Sequence, residues 1–419
     1  MRSSPDTSKA AGNTQKTEGE EQNGERLGGF CVWLMKGMMK KCECEKRKMV
    51  HSLKVGVALV LVSLLYVLDP LFHQVGQNVM WAIMTVVVVF EFYAGATISK
   101  GINRGIGTIL GGLLGCLAAL LAHKLGGLQS TFVVAISVFS VGVGATYIRM
   151  LPKVKRKFDY GLLIFILTFN LVVVSGVRAD KVMILARERL SNIGMGFAVC
   201  LFISLFVFPQ WASDQLHSST ASMFHQIASS LEGCLEEYFA ISGEKKSSTS
   251  RDVNRCKCVL YSKSSNETLA NFAKWEPWHG KFGFSYPWGK YMEIGEALRE
   301  LAAIVVSLND CIHSTAQPLA IQREMIKEPT ELVGVSLLCI LRELGESIKG
   351  MKLYRAKGMM RPKLQSIKQD NLMMSSPPDL GMSSFVFLLN EVIQKVEVLV
   401  TKVEQLSDIA GFHINKLEV

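Results

Sequence analysis

Tyr160–Phe208 reads YGLLIFILTFNLVVVSGVRADKVMILARERLSNIGMGFAVCLFISLFVF. Two apolar runs of spanning length flank a short connection carrying Arg178, Lys181, Arg187 and Arg189. A helix crossing a bilayer needs roughly 17–25 mostly apolar residues. The second run begins inside the basic cluster, so cations enter the membrane with it. Working outward, similar runs lie at 53–68, 79–93, 105–122 and 131–148, and with 160–177 and 190–208 they predict six spans. The first two are short, with Lys54 and Glu91 near an end.

The reading is an all-α membrane protein: six transmembrane helices followed by a helical cytosolic C-terminal domain. Residues 1–49 are expected to form a disordered, basic cytosolic tail, 50–210 a six-helix anion-pore domain, and 211–419 a cytosolic helical domain. The chain has 419 residues, 49% of them hydrophobic, which is too apolar for a wholly soluble protein and long enough for two domains. Its formal net charge of +10 is largely topogenic, with no nucleic-acid partner expected. Lys36, Lys40, Lys41, Lys46, Arg47 and Lys48 precede the first run, whereas 69–78 contains no Lys or Arg. The positive-inside rule places both termini in the cytosol. The cations between the fifth and sixth runs break that bias.

Between Val50 and Gln210 thirteen basic residues face five acidic ones, a balance that favours an anion. Ionisable groups in spanning segments are costly and mark pathways or paired sites. Lys100 and Arg104 are read as preceding the third span at its N-terminus, where the helix dipole adds positive potential. Arg187 and Arg189 open the sixth span and Arg178 ends the fifth, giving basic entrances at both faces. The cluster 152–157, PKVKRK, reads as topogenic or lipid-facing. Glu91 must be neutral or paired, and an ion pair with Lys100 or Arg104 outweighs a gating role. Gly101, Gly105, Gly107, Gly111, Gly112 and Gly115 in the third span serve close helix approach, with room for a pore as the other reading.

The C-terminal half alternates helical patterns with polar breaks at 243–252 and about 356–382. Val392, Val396, Leu399, Val403 and Leu406 form a helical seam, read as contact with neighbouring helices rather than as a coiled coil. Phe272–Tyr291, with Pro277, Pro287 and its glycines, reads as an ordered loop anchored by Trp275, Trp278 and Trp288. Its His279 has no partner at ligand spacing, and Glu293, Glu296 and Glu300 read as one solvated helix face. The ten cysteines show no disulfide or zinc spacing; they read as reduced thiols, with Cys31, Cys42 and Cys44 as palmitoylation candidates. No hydrolase elbow, P-loop, metalloprotease or dinucleotide motif is present, so neither an enzyme nor an ATP-driven pump is expected, and no cofactor or metal. The sequon at Asn266 lies on the expected cytosolic side and is read as unused.

Three blocks then stand out in order: MWAIMTVVVVFEFYAGATISKGINRGIGT at Met80–Thr108, PKVKRKFDYGLLIFILTFNLVVVSGVR at Pro152–Arg178 and FAKWEPWHGKFGFSYPW at Phe272–Trp288. Together they resemble the plant aluminium-activated malate transporter family. The resemblance implies a dimeric anion channel of the plasma or vacuolar membrane, permeable to malate and other anions, with a basic pore and a helical cytosolic domain. It carries Lys100 and Arg104 over as pore cations, Arg189 as the cation opening the last span, and Arg187 as a weaker candidate. Trp275, Glu276 and Pro277 match the family's WEP signature, expected to serve structure or gating. Asp69, Asp180 and Glu188 are a thin carboxylate set for a trivalent cation. The alternative is a proton-coupled exporter of organic or aromatic acids with Glu91 as proton site. A membrane-anchored scaffold is the third reading, and it leaves the cation excess without a role.

Overall fold

The computed structural model describes residues 45–65, 67, 80–176, 182–239, 249–283, 286–313, 320–353 and 380–414. The tail up to residue 44, Cys31, Cys42, Cys44, Asp69, Arg178, Asp180, Lys181 and most of the two polar breaks lie outside them. Among the described residues the regular elements are helices and one two-residue parallel pair, β1 (Lys352–Leu353) with β2 (His413–Ile414). It divides into two compact units, residues 1–92 with 105–208, and residues 93–104 with 209–419.

The first unit contains α1 (Glu45–Leu65), α2 (Met80–Val89), the greater part of α3 (Ala94–Leu125), α4 (Gly127–Met150), α5 (Pro152–Gly176) and α6 (Val182–Phe206). Among the described residues five helices are long and apolar enough to cross a membrane: α1, α3, α4, α5 and α6. The chain is an all-α integral membrane protein on this count. The expected second span is the exception. Among the described residues its helix runs Met80–Val89, about 15 Å at 1.5 Å per residue, and Phe90–Tyr93 is irregular. Nothing in FEFY forbids a helix. The His51 ring of α1 lies 5.8 Å from Phe90 and 5.5 Å from Phe92 of that stretch.

Glycine spacing explains how α3 meets α5. Gly107, Gly111 and Gly115 recur every four residues, so they share one face. A Cβ on Gly107 would strike the Gly161 carbonyl, one on Gly111 would lie 2.6 Å from Phe165 O, and one on Gly115 2.9 Å from Val172. These three serve close approach. Gly112, a quarter-turn away, has nothing within 4 Å of its Cβ position and opens space instead. The close-approach reading of the glycines therefore holds at Gly107, Gly111 and Gly115. Elsewhere a Cβ on Gly196 of α6 would lie 2.6 Å from Ala82 O on α2.

The second unit contains residues 93–104 with α7 (Ala212–Phe239), α8 (Thr249–Tyr261), α9 (Lys263–Ala273), α10 (Trp288–Ile312), α11 (Ala320–Gly350) and α12 (Leu380–Ala410). Helix α7 lies against α11, and α10 against α12. The seam Val392, Val396, Leu399, Val403 and Leu406 is at most 1% exposed and sits in this unit's own apolar core, as expected. Tyr238 of α7 stacks on Phe385 of α12 at 3.8 Å with nearly parallel rings. Asn266 is buried, with its amide nitrogen 3.5 Å from Met223 Sδ. The glutamates of α10 are exposed but paired: Glu293 with Lys290, Glu296 with Arg299 and Lys263, Glu300 with Lys395.

Candidate functional site

The membrane unit treats its buried cations in two ways. Lys54 of α1 is only 4% exposed, yet its ammonium donates to Phe208 O at 2.6 Å, beyond the end of α6. That cation is used up by structure. Arg189, seven residues into α6, is 9% exposed, and its Nε and Nη1 have no hydrogen-bond partner among the described residues. Its guanidinium carbon stands 4.5 Å from the centre of the Trp81 ring. A cation–π contact of this kind holds the group by its face and leaves the in-plane N–H donors available.

Arg189 borders a cavity of about 480 Å³ within the first unit. Its walls come from α3, α5 and α6, and its polar lining includes Thr108, Thr168, Arg187 and Arg189. The Thr108 hydroxyl is buried and has no partner either. Asn192, three residues past Arg189, is fully buried with both amide atoms unpartnered. Each such group carries a desolvation penalty of about 1–3 kcal/mol unless something satisfies it. A cluster of them in an apolar unit is the arrangement that accepts a polar ligand.

The sequence-predicted cations are distributed as follows. Arg187 is exposed and lines the same cavity as Arg189. Lys100 is half-buried and Arg104 is 3% exposed, one turn apart on α3 in the stretch that belongs to the second unit. Arg178 is outside the described residues. Because α3 begins at Ala94, Lys100 and Arg104 lie six and ten residues inside it, and the helix-dipole argument for them falls away. Glu91 is half-buried in the irregular stretch after α2. Thr108 and Asn192 escaped sequence reasoning because one polar residue in a long apolar run gives no periodic signal.

The WEP tripeptide is built quite differently. Glu276 is buried, and its two carboxylate oxygens accept from Ala212 N at 2.6 Å, Ser213 N at 3.1 Å and Ser213 Oγ at 2.6 Å. These are the opening donors of α7, which lack partners within their own helix. A carboxylate there satisfies them and meets the positive end of the helix dipole. His279 Nδ1 donates to Pro277 O at 2.8 Å, its Nε2 lies 2.9 Å from Ser213 Oγ, and its ring stacks on Trp211 at 3.7 Å. Gly280, with φ of 51°, makes the turn between His279 and Phe282. On the other side of the loop, a Cβ on Gly95 would run into the Phe272 carbonyl, and Ala94 N donates to Gln210 O at 3.0 Å. Of the three tryptophans expected to anchor the loop only Trp288 is buried: Trp275 is 41% and Trp278 70% exposed.

Deeper in the same unit, His217 Nε2 lies 3.3 Å from Lys349 O and Nδ1 2.8 Å from the Tyr291 hydroxyl. The carbonyl only accepts, so Nε2 carries the proton and Tyr291 donates to Nδ1. Burial first of all lowers the pKa of His217 and raises that of Tyr291, so both stay neutral.

Comparison with known proteins follows the same lines. A family model described as "Aluminium activated malate transporter" matches residues 40–385. The chain is 39% identical over 356 residues to Aluminum-activated malate transporter 14 of Arabidopsis thaliana, covering 84% of this chain and 65% of that protein. It is 43% identical over 314 residues to Aluminum-activated malate transporter 2 of the same plant, covering 74% and 62%. With Aluminum-activated malate transporter 1 of Triticum aestivum it shares 36% identity over 317 residues, covering 73% and 69%. The chain thus spans a little under two thirds of the length of the two Arabidopsis relatives. All three are named as transporters, not as enzymes.

Proposed function

Given that the chain belongs to the aluminium-activated malate transporter family, we propose that it is a passive anion channel carrying malate and other organic or inorganic anions. The observation that carries this reading is Arg189: a buried guanidinium with free donors beside a cavity in the membrane unit. An anion entering the apolar unit loses hydration, and the Arg189 N–H groups with the Thr108 hydroxyl replace part of it. Arg187 is exposed on the same cavity and supplies attraction at longer range. Conduction needs several modest sites rather than one tight one, because the ion must also leave. Lys100 and Arg104, one turn apart on α3, serve as further stations, and Arg178 belongs to the same set.

The remaining assignments belong to this reading. The channel is a homodimer in the plasma or vacuolar membrane, surrounded by lipid, with both termini in the cytosol. Residues 1–49 form the tail, 50–210 the pore domain with six spans, and 211–419 the cytosolic domain. Glu91 serves an ion pair or gating, and WEP serves the cytosolic domain. Voltage clamp on cells expressing the chain, with malate exchanged on either side, tests the reading. The reversal potential should follow the malate gradient, and Arg189→Met should lower malate conductance about ten-fold at equal surface expression. Unchanged conductance removes Arg189 from the pathway. A reversal potential that follows the proton gradient replaces the channel with the proton-coupled exporter.

A further inference from the structure

The cavity beside Arg189 has an apolar wall that malate cannot use. Malate is a small dicarboxylate with no hydrocarbon tail, yet Ile109, Leu113, Leu117 and Leu120 of α3 line the cavity over twelve residues. At 1.5 Å per residue this wall is about 18 Å long, a length on the scale of an extended acyl chain. A volume of about 480 Å³ lies in the range that holds one small organic ligand. Against this wall stand two polar groups that are each more than nine-tenths buried and unpartnered: the Arg189 guanidinium at Nε and Nη1, and the Thr108 hydroxyl. The Arg187 and Arg189 cations, one neutral hydroxyl and a hydrocarbon slot describe a ligand with an anionic head and an apolar tail.

We propose that this cavity binds a single-chain anionic amphiphile, an acyl carboxylate of the fatty-acid type. Its carboxylate takes one of the free Arg189 donors together with the Thr108 hydroxyl, and its tail lies along α3 from Ile109 towards Leu120. The guanidinium charge strengthens that hydrogen bond to a carboxylate. The tail passes over Gly112, where the missing side chain leaves open space. Binding follows from the cavity alone. The consequence for transport rests on the channel reading: an amphiphile on Arg189 competes with permeating malate and inhibits it.

Trp81, against Arg189, supplies the readout. The full chain is reconstituted in unbrominated phosphatidylcholine and titrated with a dibrominated stearate, whose bromines quench nearby tryptophan fluorescence. Saturable quenching is expected, with its main component lost in Trp81→Phe. Arg189→Met and Gly112→Leu should each weaken apparent affinity at least ten-fold. Gly112→Leu fills the slot without touching the charge, and it favours the helix, since glycine is a poor helix former. Brominated phosphatidylcholine, built into the bilayer as a control, should quench weakly and equally in all variants. If it quenches like the stearate, or if neither variant alters the titration, the site is ordinary lipid contact and the proposal fails. Quenching by brominated phosphatidylglycerol but not by the stearate overturns the single-chain assignment. In voltage clamp the unbrominated acid should reduce malate current in the wild type and leave Gly112→Leu current unchanged. An equal reduction in both overturns competition at this cavity. A complete lack of malate current removes the channel reading, whereas the quenching titration still decides the site.

Discussion

Glu276 and Arg189 are both buried charges, and the protein treats them oppositely. Glu276 accepts three hydrogen bonds from Ala212 and Ser213, all within one compact unit. Arg189 rests on the Trp81 ring and keeps two N–H groups unpartnered beside a cavity. A buried charge with its partners in place belongs to the architecture. A buried charge without them is a stability liability, and it persists where something outside the chain completes it. The comparison separates the WEP loop, which holds the fold, from the α3–α5–α6 cavity, which is left ready for an anion.

The largest expected effect comes from removing the architectural charge. Glu276→Ala leaves three donors at the start of α7 without an acceptor, and at about 1 kcal/mol or more for each the loss is roughly 3 kcal/mol. Thermal unfolding of the purified chain should show a midpoint lowered by about 6–12 °C. An unchanged midpoint would break the comparison, since water would then serve those donors as well as the carboxylate does. Gly95→Val attacks the same loop from its other side. Its side chain must displace the Phe272 carbonyl, a steric penalty of about 1–3 kcal/mol. A scan showing no destabilisation would mean that the loop yields freely.

A smaller effect is expected from pH. Burial holds His217 below its ordinary value of 6.5, so the folded protein takes up that proton less readily than the unfolded chain. Its contribution is complete above about pH 6.5 and is lost progressively as pH falls from there towards the lowered folded value. The unfolding midpoint of wild type should therefore drop faster between about pH 6.5 and 5 than that of His217→Gln. Parallel curves would exclude the histidine. The smallest stability effect belongs to Arg189. Because its Nε and Nη1 have no partner among the described residues, Arg189→Met should leave stability unchanged or raise it by about 1 kcal/mol, in line with apolar replacement of buried charges. A loss of about 3 kcal/mol, as large as that for Glu276, would make Arg189 architectural and erase the distinction.

These two sites differ in legibility for the same physical reason. Arg189 was visible in the sequence because a cation in an apolar run, on the side where the positive-inside rule expects few, is locally anomalous. The Glu276 clamp was not, because Ser213 and Glu276 are 63 residues apart and only folding joins them. Long helices were legible from hydropathy, but the end of α2 at Val89 was not, since His51 rather than any local breaker sits against the aromatic stretch that follows. The start of α3 was misplaced by eleven residues, which put Lys100 and Arg104 before the helix instead of within it. The tryptophans of the WEP loop misled because an aromatic side chain announces bulk and not burial: Trp288 is enclosed, whereas Trp278 is open to its surroundings.

The cap of α7 also sets an order of events during synthesis. Ala212 emerges from the ribosome 64 residues before the carboxylate that completes its turn. At about 5–20 residues per second, the opening of α7 waits several seconds for its acceptor. During that interval the helix can grow from its middle, but its first turn is left to fray. The segment following the last membrane helix is therefore fastened late, after the WEP loop has been made, and a ribosome stalled before Glu276 would hold a chain whose α7 is formed but not yet tied at its start.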